Sequence, residues 1–304
     1  MSLTLRNGWP GTHTQKIDSD NNPAGVVMAL KHRMVSAALN AGVGVSKLTD
    51  VATVKSLIGQ LHPVQTRLPL IRVGADGDGG YLLPDDLDGV AACFSPGVSV
   101  WAPFEEALIA RGIPCFMADA SVCQSPIAGG VFIKKYVGLV NDESTVRLDD
   151  WVSEYAPGVQ DLVLQMDIEG AEWAVLLNAS DALLRRFRII VVELHDLERI
   201  FDRHAFGIIS GVLRRLMSDF YVVHNHPNNY GGVVSRSGLV VPRVLEMTFL
   251  RADRAQPTSF AQQFPHPLDV TNDPNSKDVV LPEAWRHVPV GPDDWAYGVP
   301  ESAH

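Results

Sequence analysis

The sequence predicts an α/β fold, a doubly wound and mostly parallel sheet of seven strands, Rossmann-like, with an N-terminal helical extension. Two observations predict it. From about residue 90, short apolar runs alternate with stretches of helical periodicity, the pattern of parallel strands covered by helices on both faces. The last two apolar runs, 220–225 and 244–250, are joined by the loop 227–242, which has no helical pattern, so we expect the final strand to run antiparallel.

The apolar runs and the helical stretches give the expected elements in chain order. Strands are expected at 91–95, 113–119, 132–137, 161–167, 188–195, 220–225 and 244–250, and helices at 101–111, 150–155, 171–184 and 205–219. Before them, the apolar residues 70–73 and 82–83 flank the glycine-rich segment from Gly74 to Tyr81, which predicts a β-hairpin.

The two ends of the chain differ in pattern from the core. Residues 24–40 and 49–61 have helical spacing, with Val27, Leu30 and Met34 on one face. Beyond residue 252 the chain is rich in proline and loses periodicity. We therefore expect a helical N-terminal extension over 1–66, a core over 67–252 and an extended, Pro-rich tail over 253–304.

Composition limits the class of protein. Hydrophobic residues make up 46% and charged residues 20%, as in a folded globular chain. The net charge of -10 disfavours nucleic acid as a partner, since binding it needs clustered lysines and arginines. Three cysteines without a CxxC pair, and no apolar stretch near the ~18 residues of a membrane span, lead us to expect a soluble, cytoplasmic protein that contacts no membrane. Assembly into a homo-oligomer is compatible with this composition.

The end of the first core strand carries the features of a nucleoside site. In open α/β sheets, ligands bind beyond the carboxyl ends of the strands, near the point where the strand order reverses. Here Ser95 and Gly97 lie in a tight turn, and Asp119 ends the next strand, where a carboxylate can accept both hydroxyls of a ribose. Tyr81, after the glycine-rich turn, is expected to cover the cofactor.

The same spacing suits NAD as well as S-adenosylmethionine. The glycine pattern distinguishes between these two cofactors. A dinucleotide site needs several glycines in the form GxGxxG to hold a pyrophosphate, whereas Gly97 stands alone. The GxxxxGK[ST] phosphate loop is absent from the sequence as well. S-adenosylmethionine has no phosphates, so one glycine suffices, and we expect it as the cofactor.

Polar residues at i and i+2 near strand ends define the candidate reaction site, because such side chains point the same way. Three pairs occur: Asp167 and Glu169, Glu193 and His195, and His224 and His226. Transfer of a methyl group to a hydroxyl needs a base that removes the proton, or a divalent metal that lowers its pKa.

We expect His195 to be the base, with Asp167 nearest the methyl group and Glu169 also in the catalytic set. A Mg²⁺-like ion is the alternative route, with Asp167, Glu193 and His226 as candidate ligands. Simpler interpretations stay open for two of these residues. Glu169 fits the first turn of the following helix, where its dipole favours acids, and His226 fits a partly buried histidine.

The sequence resembles the FkbM-type methyltransferases. Residues 164–172, which read LQMDIEGAE, are similar to the DxEGxE signature of that family. Further landmarks occur in the family's order at 94–105, 148–150, 192–195, 226–229 and 242–246. The resemblance covers roughly residues 70–280, and Pro96 stands where the family more often has a small residue.

The resemblance implies a class I methyltransferase fold, S-adenosylmethionine as the methyl donor, and O-methylation of a hydroxyl in a sugar, a glycan or a natural product. Two other classes of function remain open. The acid and histidine pairs would also suit a metal-dependent hydrolase, and the scaffold would suit a non-catalytic binding protein.

Overall fold

The computed structural model describes residues 23–42 and 44–286, without the side chains of 23–26 and 29. The chain divides into two units, Met1–Lys47 and Leu48–His304. In the first unit the described element is α1 (Pro23–Asn40), as the helical spacing predicted. The predicted N-terminal helices thus fall in different units, because the second helix, α2 (Val51–Gly59), belongs to the second.

The second unit contains the predicted core and the described part of the tail. Its further helices are α3 (Pro103–Ala110), α4 (Leu148–Tyr155), α5 (Glu172–Asn178), α6 (Asp181–Leu184) and α7 (Arg203–Asp219), with 3-10 turns at Leu197–Phe201 and Glu283–Trp285. The strands are β1 (Val64–Thr66), β2 (Leu70–Gly74), β3 (Gly80–Pro84), β4 (Ala92–Pro96), β5 (Cys115–Ala118), β6 (Val131–Ile133), β7 (Tyr136–Gly138), β8 (Thr145–Arg147), β9 (Leu162–Met166), β10 (Phe187–Leu194), β11 (Phe220–Pro227), β12 (Val233–Arg236), β13 (Leu239–Pro242), β14 (Leu245–Arg251) and β15 (Pro257–Phe260).

Seven strands form the main sheet in the order β11-β14-β10-β9-β4-β5-β6. β14 runs antiparallel to both β10 and β11, and the other pairs in this sheet are parallel. This is the sheet that the pattern predicted, and it confirms the α/β, Rossmann-like methyltransferase plan. The chain winds outward from β4 to β6 on one side and from β9 onward on the other, so the strand order reverses between β4 and β9.

The core occupies both faces of this sheet because its central strands are buried on both sides. In β9, Leu162, Leu164 and Met166 pack on one face, and Val163 packs on the other. The first face is covered by α2, α4, α5 and α7, and the second by α3 and the β2–β3 hairpin. The sheet is therefore packed on both faces, and its carboxyl-terminal edge is left to carry a site.

Two predicted elements are divided in the structure. The helix expected at 171–184 is two helices, because Ala179 is extended at ψ 142° and the hydroxyl of Ser180 caps α6 by accepting from Leu183 N. The strand expected at 132–137 is β6 followed by β7, which leaves the main sheet to pair with β8. None of the helices in the described part of the chain is long and apolar enough to cross a membrane.

The tail lies against the second unit over the residues that the structure describes. β15 pairs with β1, and Trp285 is fully buried beneath β13. The loop 227–242, expected to lack helix, contains the β12–β13 hairpin. The predicted N-terminal arm, residues 1–22, and the last part of the tail, 287–304, lie outside the described residues.

Candidate active site

A pocket of about 400 Å³ lies beyond the carboxyl ends of β4, β5 and β9, at the reversal of the strand order. Its volume lies within the range of small-molecule sites, about 300–1,000 Å³. Five residues that the sequence predicted contribute to its lining: Tyr81, Gly97, Asp119, Asp167 and Glu169. Pockets at this position of an open α/β sheet are where such folds bind nucleotides and nucleosides.

Gly97 forms the bend between β4 and the pocket. Its backbone has φ +90°, and an added Cβ would lie 1.5 Å from the carbonyl oxygen of Asp167. The Gly97 amide donates to Ala118 O at 3.0 Å, and the Asp167 amide donates to Pro96 O at 3.3 Å. The glycine is therefore needed for the close approach of the β9 end as much as for the approach of a ligand.

Asp119 directly follows β5 and lies beside this bend. Its Oδ1 accepts hydrogen bonds from the amide and the hydroxyl of Ser121, each at 2.6 Å. Among the described residues, Oδ2 has no hydrogen-bond donor. A fixed carboxylate with one free oxygen on a pocket wall is suited to accept hydrogen bonds from a diol.

Ser95 lies behind the pocket wall rather than on it. Its side chain is fully buried, and the hydroxyl contacts the carboxylate of Glu105 and the amide oxygen of Gln165, which do line the pocket. The predicted direct contact with a cofactor therefore does not fit the position of Ser95. The hydroxyl points into the sheet because Cys93 and Ser95 share one strand face, against α3.

Glu105 and Gln165 lie within the family segments 94–105 and 164–172, but the sequence pattern gave neither residue a role at the site. Burial raises the pKa of Glu105 above its usual range. The Gln165 amide donates to the hydroxyl of Tyr81 at 3.4 Å, so Tyr81 forms part of the pocket wall. Burial, with the charge of Glu193 nearby, also raises the pKa of Tyr81.

The turn after β9 carries the acidic residues of the signature. Glu169 has the left-handed backbone conformation, φ 56°, and its side chain is largely exposed. α5 begins only at Glu172, so Glu169 precedes the helix. The alternative interpretation, that Glu169 occupies the first turn of this helix, is wrong. The buried Glu172 carboxylate accepts from the amides of Ile168 and Gly170 and lies 3.2 Å from His195 Nδ1.

His195 lies among four carboxylates at the end of β10. Its Nε2 is 3.6 Å from Glu169 Oε2, 3.7 Å from Glu193 Oε1 and 3.9 Å from Asp167 Oδ1. Burial lowers the pKa of His195, but the hydrogen bond to Glu172 and the surrounding charges outweigh it and raise the pKa to about 9. A histidine that holds its proton at neutral pH is poorly matched to the role of general base that the sequence suggested.

The Asp167 carboxyl group, in contrast to His195, has few polar partners. Burial raises the pKa of Asp167 to about 7, assisted by Glu169 and Glu172 and opposed by His195. Its Oδ1 is buried and makes no hydrogen bond to the described residues. The carboxyl group therefore changes its charge easily near neutral pH.

Ligand atoms of Asp167, Glu193 and His195 lie within 4.8 Å of one another, the spacing of a possible metal group. The predicted third ligand, His226, is not in this group. It lies on β11 opposite Glu246, and β14 separates it from Glu193 on β10. Strands are about 4.8 Å apart, so His226 lies roughly two strand spacings away and faces Asp269 instead, at 3.6 Å.

The family segments 226–229 and 242–246 both contact Glu193. Asn228 donates to Glu193 Oε1 at 2.9 Å, and Asn272 donates to Glu246. Glu193 and Glu246 are cross-strand neighbours, and burial raises the pKa of each. Of these residues, only Glu193 was singled out from the sequence, because pairing across strands is invisible in a spacing pattern.

The fold, the pocket and a family match together indicate the class of protein. A parallel sheet with one antiparallel strand next to its edge, and a site at the reversal of strand order, is the plan of the Rossmann-like methyltransferases. Residues 134–218 match the methyltransferase FkbM domain, which confirms the resemblance to that family and indicates a methyltransferase. The match runs from just before β7 to the end of α7 and includes Asp167, Glu169, Glu193 and His195. No curated protein matches the chain significantly.

Proposed function

We propose that the protein is an S-adenosylmethionine-dependent O-methyltransferase that acts on a hydroxyl of a sugar, a glycan or a natural product. One observation carries the proposal. A single pocket is lined on one side by Asp119 and the Gly97 bend and on another by the acidic turn at Asp167 and Glu169. The first pair suits a ribose and the second suits a sulfonium and a reacting hydroxyl.

The lining residues fit the cofactor in charge and shape. The free Oδ2 of Asp119 would accept from a ribose hydroxyl, and the exposed rings of Trp101 and Tyr136 at the rim offer faces for an adenine. The carboxylates of Asp167 and Glu169 favour a positive sulfonium. When bound, S-adenosylmethionine supplies a methyl group that leaves with its C–S bond electrons remaining on sulfur.

The acceptor hydroxyl must lose its proton as its oxygen forms the new C–O bond. Asp167 and Glu169 line the pocket where that proton would leave, and His195 Nε2 lies behind them, 3.9 Å and 3.6 Å from their carboxylate oxygens. Either an unprotonated side chain of this group takes the proton, or a Mg²⁺-like ion in the same group lowers the pKa of the hydroxyl.

Calorimetric titration with S-adenosylhomocysteine tests the cofactor. We expect binding to the unmodified protein, and we expect Asp119→Ala to weaken it at least about tenfold, since a hydrogen bond to a charged group is worth about 1.5–3 kcal/mol. Asp88→Ala, which removes an exposed carboxylate remote from the pocket lining, is the control and should change nothing. Absence of binding at millimolar ligand would overturn the proposal.

Transfer itself is tested with S-adenosylmethionine labelled in its methyl group and a panel of sugars, glycans and hydroxylated natural products. Label in an ether-linked product supports the proposal. Chelator-sensitive hydrolysis without nucleoside affinity would support a metal-dependent hydrolase instead. Binding of the cofactor that survives Asp167→Ala and His195→Ala, with no transfer to any acceptor, would indicate a non-catalytic binding protein.

A further inference from the structure

At the carboxyl ends of β9 and β10, ligand atoms of two carboxylates and one imidazole lie within 4.8 Å of one another. His195 Nε2 lies 3.9 Å from Asp167 Oδ1 and 3.7 Å from Glu193 Oε1. Ligand atoms about 2.1 Å from an octahedral ion lie about 3–4.2 Å apart. The observed separations fall in that range, so little movement is needed for one ion to contact all three.

Unpartnered buried oxygens form the second, independent observation. Asp167 Oδ1 and Glu193 Oε2 are buried and have no hydrogen-bond partner among the described residues. The Glu193 side chain is only 5% exposed, so bulk water does not reach it. Leaving such an atom unpaired is costly. Asp167 and Glu193 also each bring a carboxylate oxygen within 3.9 Å of His195 Nε2, so a cation at this position would supply the missing partner.

The surroundings hold these three side chains in place for binding. Glu172 Oε1 accepts a hydrogen bond from His195 Nδ1 at 3.2 Å, so Nε2 is directed towards the two carboxylates and can bind an ion in place of its proton. Asn228 donates to Glu193 Oε1 and fixes that carboxylate. Partners of this kind are the usual second layer of a metal site, where they orient the ligands.

Charge also favours a cation. Four carboxylates, those of Asp167, Glu169, Glu172 and Glu193, surround His195, and within the described chain it is the only basic residue with which they form ion pairs. A mixed set of two oxygens and one imidazole suits Mn²⁺ and Mg²⁺, and the borderline divalent metals as well.

We propose that Asp167, Glu193 and His195 bind one divalent cation beside the methyl-transfer pocket. The role of the ion rests on the proposed function: held by these three residues, it would lower the pKa of the acceptor hydroxyl. As the oxygen forms its bond to the methyl carbon and the carbon–sulfur bond breaks, the hydroxyl proton would pass to Glu169, whose exposed carboxylate would release it to water.

Mn²⁺ binding to the full chain tests the site through electron paramagnetic resonance. We expect one Mn²⁺ per chain, with affinity reduced at least about tenfold in Asp167→Asn and in Glu193→Gln. Glu154→Gln, which alters an exposed acid on α4, is the matched control and should bind as the unmodified protein does.

Pulsed resonance on the unmodified protein gives a readout that does not depend on the folding of a variant. Coupling of Mn²⁺ to an imidazole nitrogen should appear in the unmodified protein, change with ¹⁵N-histidine labelling, and disappear in His195→Gln. Absence of a stoichiometric ion, of that coupling, or of any effect of both acid variants would overturn the proposal. Bound Mn²⁺ in a protein that fails to bind S-adenosylhomocysteine would support the cation site while refuting the methyltransferase function.

Discussion

At Gly97 the local backbone and the neighbouring strand both exclude a side chain, and the two effects can be separated experimentally. Gly97→Ala would place a methyl group 1.5 Å from the Asp167 carbonyl at φ +90°. We expect a loss of more than about 3 kcal/mol in the free energy of unfolding, or a displaced β9 end. Urea denaturation measures the loss.

Gly112→Ala is the control for this substitution. Gly112 has nearly the same backbone conformation, φ +81°, but an added Cβ meets nothing within 4 Å. It should lose only the conformational part, about 1–2 kcal/mol. Equal losses in the two variants would show that the approach of β9 to the bend is not what requires a glycine at position 97.

Individual site residues were predictable to the extent that they end strands. Asp119 and Asp167 follow directly after β5 and β9, so their place at the pocket was implied by the strand pattern. Ser95 and His226 were misplaced for one reason: the sequence shows which way a side chain points along its strand, but not which residue another strand or helix brings against it. The same limit hid Glu105.

At the scale of elements, α2 is part of the main core rather than of a separate extension. Val54, Leu57 and Ile58 are fully buried within the larger hydrophobic cluster. We expect Leu57→Ala to lower the free energy of unfolding by about 2–5 kcal/mol, since it leaves a cavity in that cluster. Lys55→Ala, exposed on the same helix, should change it by less than about 0.5 kcal/mol. A similar small loss in both variants would place α2 outside the cooperative core.

Element types were predictable because period and burial agree along most of the chain. The central strands read as continuous apolar runs, and the structure buries them on both faces. The two divided elements depended on local geometry that periodicity does not reveal. A serine cap at Ser180 and an extended Ala179 interrupt a sequence that otherwise favours one helix.

At the scale of the whole molecule, the buried carboxylate of Asp269 joins the tail to β11, the edge strand of the main sheet. Asp269 lies 2.9 Å from His224 Nε2 and 3.6 Å from His226 Nδ1, both on β11. Hydrogen bonds from these histidines overcome the effect of burial and hold the pKa of Asp269 well below its usual range. Burial lowers the pKa of His226, but Asp269 and Glu246 outweigh it and raise the pKa.

These shifts predict the pH dependence of stability. The lowered pKa of Asp269 contributes stability above about pH 3.9, and this contribution is lost as the pH falls through the folded-state pKa. The raised pKa of His226 contributes stability below about pH 6.5, and this is lost as the pH rises through its folded-state pKa. The group therefore stabilises the protein most between about pH 4 and 6.5.

We expect Asp269→Asn to lower the free energy of unfolding by about 3 kcal/mol at pH 5.5, with a smaller effect at pH 3 and pH 8, because it leaves buried histidines without their carboxylate. Chemical denaturation at the three pH values measures it. Asp85→Asn, an exposed acid, should show no such dependence. A penalty that stays constant across the pH range would contradict the account of the tail.

A crystal structure with S-adenosylhomocysteine bound tests the central claim most directly. The account predicts ribose hydroxyls on the Asp119 carboxylate, with the sulfur turned towards Asp167 and His195. A ligand bound elsewhere, or one whose sulfur points away from the acidic turn, would contradict it.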